Sequence, residues 1–232
     1  MNLRGIVLNL KSWVCVGEKS RELFDLRNVE IYVSRDVGQY IELSSEDWKL
    51  LSGAPAGSDV AVDLFGRLIS ILVTNDKMLL NPFQTWLTFD ESKKPSKVFP
   101  QKLEVRAELQ GMGLATRMMA LSASKAMALG FQSVEVDAVQ NVQSSTSMAH
   151  NGAYTAARLG FDGPLSDSAI QKLPPNLQGC RTLLDLFETS AGQEFWRANP
   201  ESMRMKFDLK SGSRSWAALR RYMSTKKIRV IE

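Results

Sequence analysis

Residues 105–115 read VRAELQGMGLA and bring two glycines directly before a long helical pattern. The first backbone N–H groups of a helix have no acceptor within the helix, and the helix dipole favours an anion beside them. Glycine has no Cβ, so a ligand can approach these N–H groups closely. Gly111 and Gly113 therefore predict a site for a pyrophosphate group. The alternative is a loop in which both glycines only turn the chain. We refer to residues 110–113 as the glycine turn.

The spacing of apolar residues changes along residues 98–139, from that of a strand before the glycine turn to that of a helix after it and then to that of a strand again. Apolar residues indicate a strand over residues 98–106, and helical spacing then runs from Leu114 to Gly130, a residue typical of a helix end. Residues 133–139 alternate as a half-buried strand does, and a second helix ends at Gly160. A right-handed crossover would make the two strands parallel neighbours.

The remaining segments indicate further strands and short helices around this unit. Strands are predicted at residues 5–16, 29–34, 60–65 or 68–74, 83–89 and 202–209, and helices at 46–51, 182–188, 193–198 and 214–223. We divide the chain into an N-terminal strand and helix arm (1–57), a core (58–163), and a connector followed by a late strand and a basic helix (164–232).

The composition is that of a folded protein, with 44% hydrophobic and 23% charged residues. Only two cysteines and one histidine occur, which argues against a disulfide framework and against a structural zinc site. No stretch approaches the roughly 18 apolar residues of a membrane span. We therefore predict a cytoplasmic protein that binds no metal and no membrane.

Positive charge is concentrated near the C-terminal end. Residues 203–232 hold nine Lys and Arg residues and two acidic residues, in a chain whose formal net charge is +4. This asymmetry predicts an acidic or nucleic-acid partner for the segment. Trp216, Arg220 and Tyr222 also mix rings and cations, as single-stranded RNA surfaces do. The alternatives are a solvated basic face and, for Trp216, a place in the core.

Two other phosphate-binding loops fit the glycine turn less well. A Walker loop needs Lys and then Ser or Thr after its last glycine, where this chain has Leu114 and Ala115. A dinucleotide fingerprint needs a third glycine, where this chain has Thr116, and Asp137 lies in mid-strand rather than at a strand end. A nicotinamide-dependent enzyme is therefore an alternative with little support.

At these residues the sequence resembles the GNAT N-acetyltransferase superfamily. Val105 followed five residues later by QGMGLA at 110–115 is similar to the acetyl-CoA signature V-x-x-x-x-[Q/R]-G-x-G-[I/L]-[G/A] of that family. Residues 158–161, RLGF, resemble its second signature, in which a helix ends in L-G-F. The resemblance covers residues 98–161 and has both motifs in the family's order.

The resemblance implies a GNAT-like α/β (α+β) fold: a mixed, mostly antiparallel sheet with a splayed parallel strand pair, flanked by helices, here with a C-terminal helical and strand extension. It implies acetyl-CoA as co-substrate, with the pyrophosphate on the turn amides and the pantetheine arm between strands near residues 105–107 and 136–138. The residues implied to bind the co-substrate are Val105, Arg106, Ala107, Gln110, Gly111, Met112, Gly113, Leu114, Ala115 and Asn151.

The family's chemistry needs a group that deprotonates the attacking ammonium and a group that protonates the departing thiolate. The family's usual tyrosine acid corresponds to Ala156 here, so Tyr154 is the candidate acid. His150 shares a helix face with Tyr154 and Arg158 and is a candidate proton carrier, unless this is only an exposed polar face. Glu104 is the candidate base.

The sequence thus predicts an acyl-CoA-dependent N-acyltransferase in which a primary amine attacks acetyl-CoA directly through a tetrahedral intermediate. The acceptor would be an amine on a protein, an aminoacyl-tRNA or a small molecule. The alternative is a catalytically degenerate protein of the same fold that only binds or interacts. Ala156 and the extension at residues 164–232 favour that alternative.

Overall fold

The computed structural model describes residues 18–138 and 152–230. The strand predicted at residues 5–16 and the candidate residues His150 and Asn151 lie outside the described residues.

The described residues contain seven strands and eight α-helices. The strands are β1 (Glu30–Val33), β2 (Asp59–Phe65), β3 (Leu68–Thr74), β4 (Phe83–Phe89), β5 (Pro95–Pro100), β6 (Ser133–Ala138) and β7 (Met203–Asp208). The helices are α1 (Glu18–Leu23), α2 (Ser45–Ser52), α3 (Leu114–Ala128), α4 (Gly152–Arg158), α5 (Asp167–Gln171), α6 (Leu183–Phe187), α7 (Ser190–Ala198) and α8 (Arg214–Thr225).

The seven strands form one mixed sheet in the order β1-β2-β3-β4-β5-β6-β7, and helices flank it. The pairs β1–β2 and β5–β6 are parallel, and the other four pairs are antiparallel. The predicted fold class, a mostly antiparallel mixed sheet with helices around it, is confirmed. The prediction contained one parallel pair, and the structure has a second one, β1–β2. The pattern at residues 29–34 predicts a strand but does not show which strand lies beside it.

The parallel strands β5 and β6 pair over only two residues each, in the middle of β5 and at the start of β6. Lys97 pairs with Ser133 and Val98 with Val134, whereas β6 continues to Ala138 against β7. The prediction that the first strand continues to residue 106 is wrong, because β5 ends at Pro100. Beyond it the chain leaves β6 and bonds instead to the loop before β4, with Leu80 N–H donating to the Glu104 carbonyl at 2.8 Å. The two strands therefore separate on the side that leads to the glycine turn.

Helix α2 packs against α3 and also contacts the strands β1 and β3. Ser44 and Asp47 cap its start reciprocally, and Gly53 ends it with a φ of +64°. A Cβ at Gly53 would lie 3.1 Å from the Met118 carbonyl carbon, so only glycine permits this approach to α3. The capped helix predicted at residues 46–51 is confirmed.

The C-terminal segment completes the sheet and the core. Strand β7 is the edge strand beside β6, as predicted. Phe207 on β7 is fully buried, with its ring 5.6 Å from that of Phe161 and 5.0 Å from that of Trp216. Trp216 donates its indole N–H to the Leu209 carbonyl and is buried, so it is a core anchor and not a surface for stacking bases.

Within the ranges 18–138 and 152–230, no helix combines the length and apolar character that crossing a membrane requires. The same ranges bring together no group of three or more His, Cys, Asp and Glu side chains able to hold a metal ion.

Candidate functional site

The glycine turn leads directly into α3. A short 3-10 turn at Ala107–Leu109 precedes it, and Gly111 and Gly113 then adopt φ values of +75° and +79°. Such a backbone is left-handed, which explains why glycine occupies both positions. Gly113 is the N-cap of α3 and provides no side-chain acceptor for the first amides of the helix.

Five of the six backbone N–H groups of residues 111–116 have no acceptor among the described residues. They belong to Gly111, Gly113, Leu114, Ala115 and Thr116. The sixth, the Met112 N–H, donates to the Leu109 carbonyl at 3.3 Å, and after Thr116 the Arg117 N–H donates to the Gly113 carbonyl at 3.1 Å. Because the turn itself is exposed at residues 110–112, this end of α3 has the properties of an anion site.

The two glycines face different surroundings. A Cβ built on Gly111 would meet no atom of the described residues within 4 Å, so this side of the turn is open with respect to them. A Cβ on Gly113 would lie 2.7 Å from Arg117 Nη1 and 2.7 Å from Ile228 Cδ1. Gly111 therefore offers the open approach to the amides, whereas Gly113 is required by packing within the protein.

Arg117 is a buried cation directly behind the turn. It is 5% exposed, and its guanidinium donates to the Met112 carbonyl at 2.8 Å and to Ser20 Oγ at 2.7 Å. Its charge adds to the positive end of the α3 dipole and so favours an anion at the turn. Arg117 is not among the residues predicted from the sequence, although it lies three residues after Leu114 and one before Met118, on the apolar face of the helix, where a charge is unusual.

The residues before the turn hold it in place. Gln110 donates its side-chain amide to the Val105 carbonyl at 3.0 Å, and Arg106 Nε donates to the Asp76 carbonyl at 2.6 Å. The Gln110 and Arg106 side chains are thus used within the protein. Their backbone N–H groups are also used, that of Gln110 donating to the Ala107 carbonyl at 3.2 Å and that of Arg106 to the Met78 carbonyl at 3.1 Å.

Glu104 lies in the segment that has left β6. Its carboxylate forms an ion pair with Lys102 at 2.7 Å and accepts a hydrogen bond from the Asn81 side chain at 2.8 Å. Its side chain is 16% exposed. A cation and an amide donor thus hold the Glu104 carboxylate in place.

Tyr154 is buried on α4 among rings and cations. Its hydroxyl accepts a hydrogen bond from Arg197 of α7 at 2.5 Å, and its ring lies 5.3 Å from that of Phe187. The guanidinium of Arg158 lies 5.6 Å from the Tyr154 ring, so these two residues share a helix face as predicted. Arg197 could not be predicted from the sequence, because α7 and α4 are far apart in the chain and no local pattern links them.

A separate groove of about 260 Å³ lies on the strands β1, β2 and β3. Tyr32, Asp59 and Leu72 are among the residues that line it. None of the predicted site residues lines this groove.

No family model matches this sequence, and no curated protein matches it. Among solved structures, the chain is similar to nourseothricin acetyltransferase, with 16% sequence identity and a TM-score of 0.27. The match covers 52% of this chain and 66% of that one, slightly less than two thirds of its length. The superposition is loose, so the case for a function comes from the contacts of this chain's own residues.

Proposed function

We propose that this chain is an acyl-CoA-dependent N-acyltransferase that uses acetyl-CoA as co-substrate. The observation that supports it is the set of five N–H groups without a described acceptor, from Gly111 to Thr116, with the Arg117 cation behind them. This set suits a pyrophosphate, which carries negative charge and several acceptor oxygens.

In this proposal each part of the site has one task. The turn amides bind the pyrophosphate, and the thioester lies where β5 and β6 separate. Glu104, held beside Lys102, takes the proton of the acceptor's ammonium group, directly or through a water. The amine then attacks the thioester carbonyl, and Tyr154 protonates the leaving thiolate, with Arg197 orienting the Tyr154 hydroxyl.

Calorimetry with acetyl-CoA tests the binding half of this proposal. We expect Gly111→Ala to weaken acetyl-CoA affinity about tenfold or more, because its Cβ would enter the open side of the turn. Gly66→Ala is the matched control, since Gly66 has a similar φ of +62°, equally open surroundings and a place in the β2–β3 turn. Absence of binding to the unmodified protein, or equal affinities of the two variants, would refute the proposal.

Thiol release from acetyl-CoA over a panel of amines tests the catalytic half. We expect Tyr154→Phe to lower kcat by about 100-fold without changing acetyl-CoA affinity, because it removes only the proton donor. Unchanged turnover in this variant would rule out Tyr154 as the acid. Binding of acetyl-CoA without thiol release for any amine would instead support a protein that only binds the co-substrate.

A further inference from the structure

The chain after α8 folds back onto the glycine turn. Ile228 Cδ1 lies 2.7 Å from the position that a Gly113 Cβ would take. The Arg229 carbonyl accepts a hydrogen bond from the Ser20 hydroxyl, which in turn accepts one from Arg117. Since Arg117 also donates to the Met112 carbonyl, an apolar contact and a chain of hydrogen bonds fasten this segment to the turn.

Three cations flank the residue that makes this contact. Lys226, Lys227 and Arg229 are exposed, whereas Ile228 between them is buried. None of the three forms an ion pair with a residue in the described ranges. Successive Cα atoms are about 3.8 Å apart, so these side chains start within a few ångströms of Ile228 and can reach the surroundings of the turn.

Lys227 occupies a backbone position that normally belongs to glycine. Helix α8 ends with Ile228 N–H donating to the Met223 carbonyl at 2.8 Å and Lys227 N–H donating to the Ser224 carbonyl at 3.0 Å. This is a Schellman motif, in which the residue at the place of Lys227 is left-handed and usually glycine. Lys227 has a φ of +52° there. The chain thus has a lysine rather than a glycine at a strained backbone position next to Ile228, which contacts the glycine turn.

We propose that Lys227, with Lys226 and Arg229 beside it, binds the 3′-phosphate of the CoA molecule whose pyrophosphate lies on the glycine turn. This inference rests on the proposed function. The 3′-phosphate is attached to the ribose next to the pyrophosphate, and an ammonium group binds a phosphate as a compact charge with three donors. The other role open to these cations is to complement the negative C-terminal end of α8, which would affect stability but not ligand preference.

The test compares CoA with 3′-dephospho-CoA by calorimetry, using the intact chain and Lys227→Gly. We expect the unmodified protein to bind CoA roughly 5- to 20-fold more tightly than 3′-dephospho-CoA, a preference typical of one charged hydrogen-bonded contact. Lys227→Gly should reduce that preference to about twofold or less. The glycine suits the left-handed backbone, so the urea midpoint of this variant should not fall.

Lys93→Gly is the matched control, because Lys93 is also a lysine in the left-handed region, with a φ of +58°. It lies in the turn before β5, at the opposite end of that strand from the glycine turn, and its substitution should leave the preference for CoA unchanged. No affinity of the unmodified protein for either ligand would overturn the proposed function itself. Equal affinity for both ligands, or a preference that survives in Lys227→Gly, would overturn only the role of Lys227.

Discussion

Gly111 and Gly113 share a backbone conformation but differ in what surrounds them, which yields a prediction about stability. Alanine at Gly111 should cost only the left-handed strain, about 1 kcal/mol in the free energy of unfolding. Alanine at Gly113 should cost about 2–4 kcal/mol, because its Cβ would also collide with Arg117 and Ile228. Urea denaturation measures both values. Equal losses in the two variants would contradict the contact of Ile228 with the turn.

Local features of single residues could be predicted from the sequence, whereas their contacts with distant segments could not. The glycine turn was predictable because a helix start and a left-handed backbone leave a local signature. The contact of Ile228 with Gly113 and the hydrogen bond from Arg197 to Tyr154 were not predictable, since each joins segments far apart in the chain. For Tyr154, the sequence predicted the helix face that it shares with Arg158 but not the hydrogen bond from Arg197 on α7.

Helix α2 is joined to α3 by an ion pair between Asp47 and Lys125. Partial burial raises the pKa of Asp47, but hydrogen bonds from Lys125 and Ser44 and the Lys125 charge outweigh it and hold that pKa below the usual 3.8. The folded carboxylate is therefore harder to protonate than the unfolded one. Its contribution to stability is complete above pH 3.8 and is lost as the pH falls below that value.

We therefore expect Asp47→Asn to make stability less dependent on pH. The urea midpoint of the unmodified protein should fall more steeply between about pH 4 and pH 2.5 than that of the variant. Asp63→Asn is the control, because Asp63 forms no ion pair with a described residue. Identical pH profiles for Asp47→Asn and the unmodified protein would mean that the ion pair contributes nothing to folding.

Strand β5 shows how a correct pattern can give a wrong boundary. Alternation of apolar residues continues past Pro100 to Val105, so the pattern alone extends the strand. In the structure Val105 does bridge a partner in a strand-like way, but that partner is Leu79 and not a residue of β6. Alternation of apolar and polar residues indicates that a segment is extended and half-buried. Which strand it pairs with depends on tertiary contacts.

The sheet and its C-terminal segment share one hydrophobic core, and Phe207 is at the point where they meet. We expect Phe207→Ala to lower the free energy of unfolding by about 3–5 kcal/mol, because it leaves a cavity between Phe161 and Trp216. Phe65→Ala, at a ring that is 57% exposed, should cost about 1 kcal/mol or less. Denaturant unfolding would distinguish them, and similar losses would show that Phe207 does not connect the two parts.

The central claim is that the amides at the start of α3 bind the pyrophosphate of an acyl-CoA. Amide NMR spectra recorded during a titration with acetyl-CoA test this claim most directly. We predict that the largest chemical-shift changes fall on the N–H groups of Gly111 and of residues 113–116, which have no acceptor among the described residues. Unchanged amides at millimolar acetyl-CoA, or changes only around Tyr32 and Asp59 in the separate groove, would contradict it.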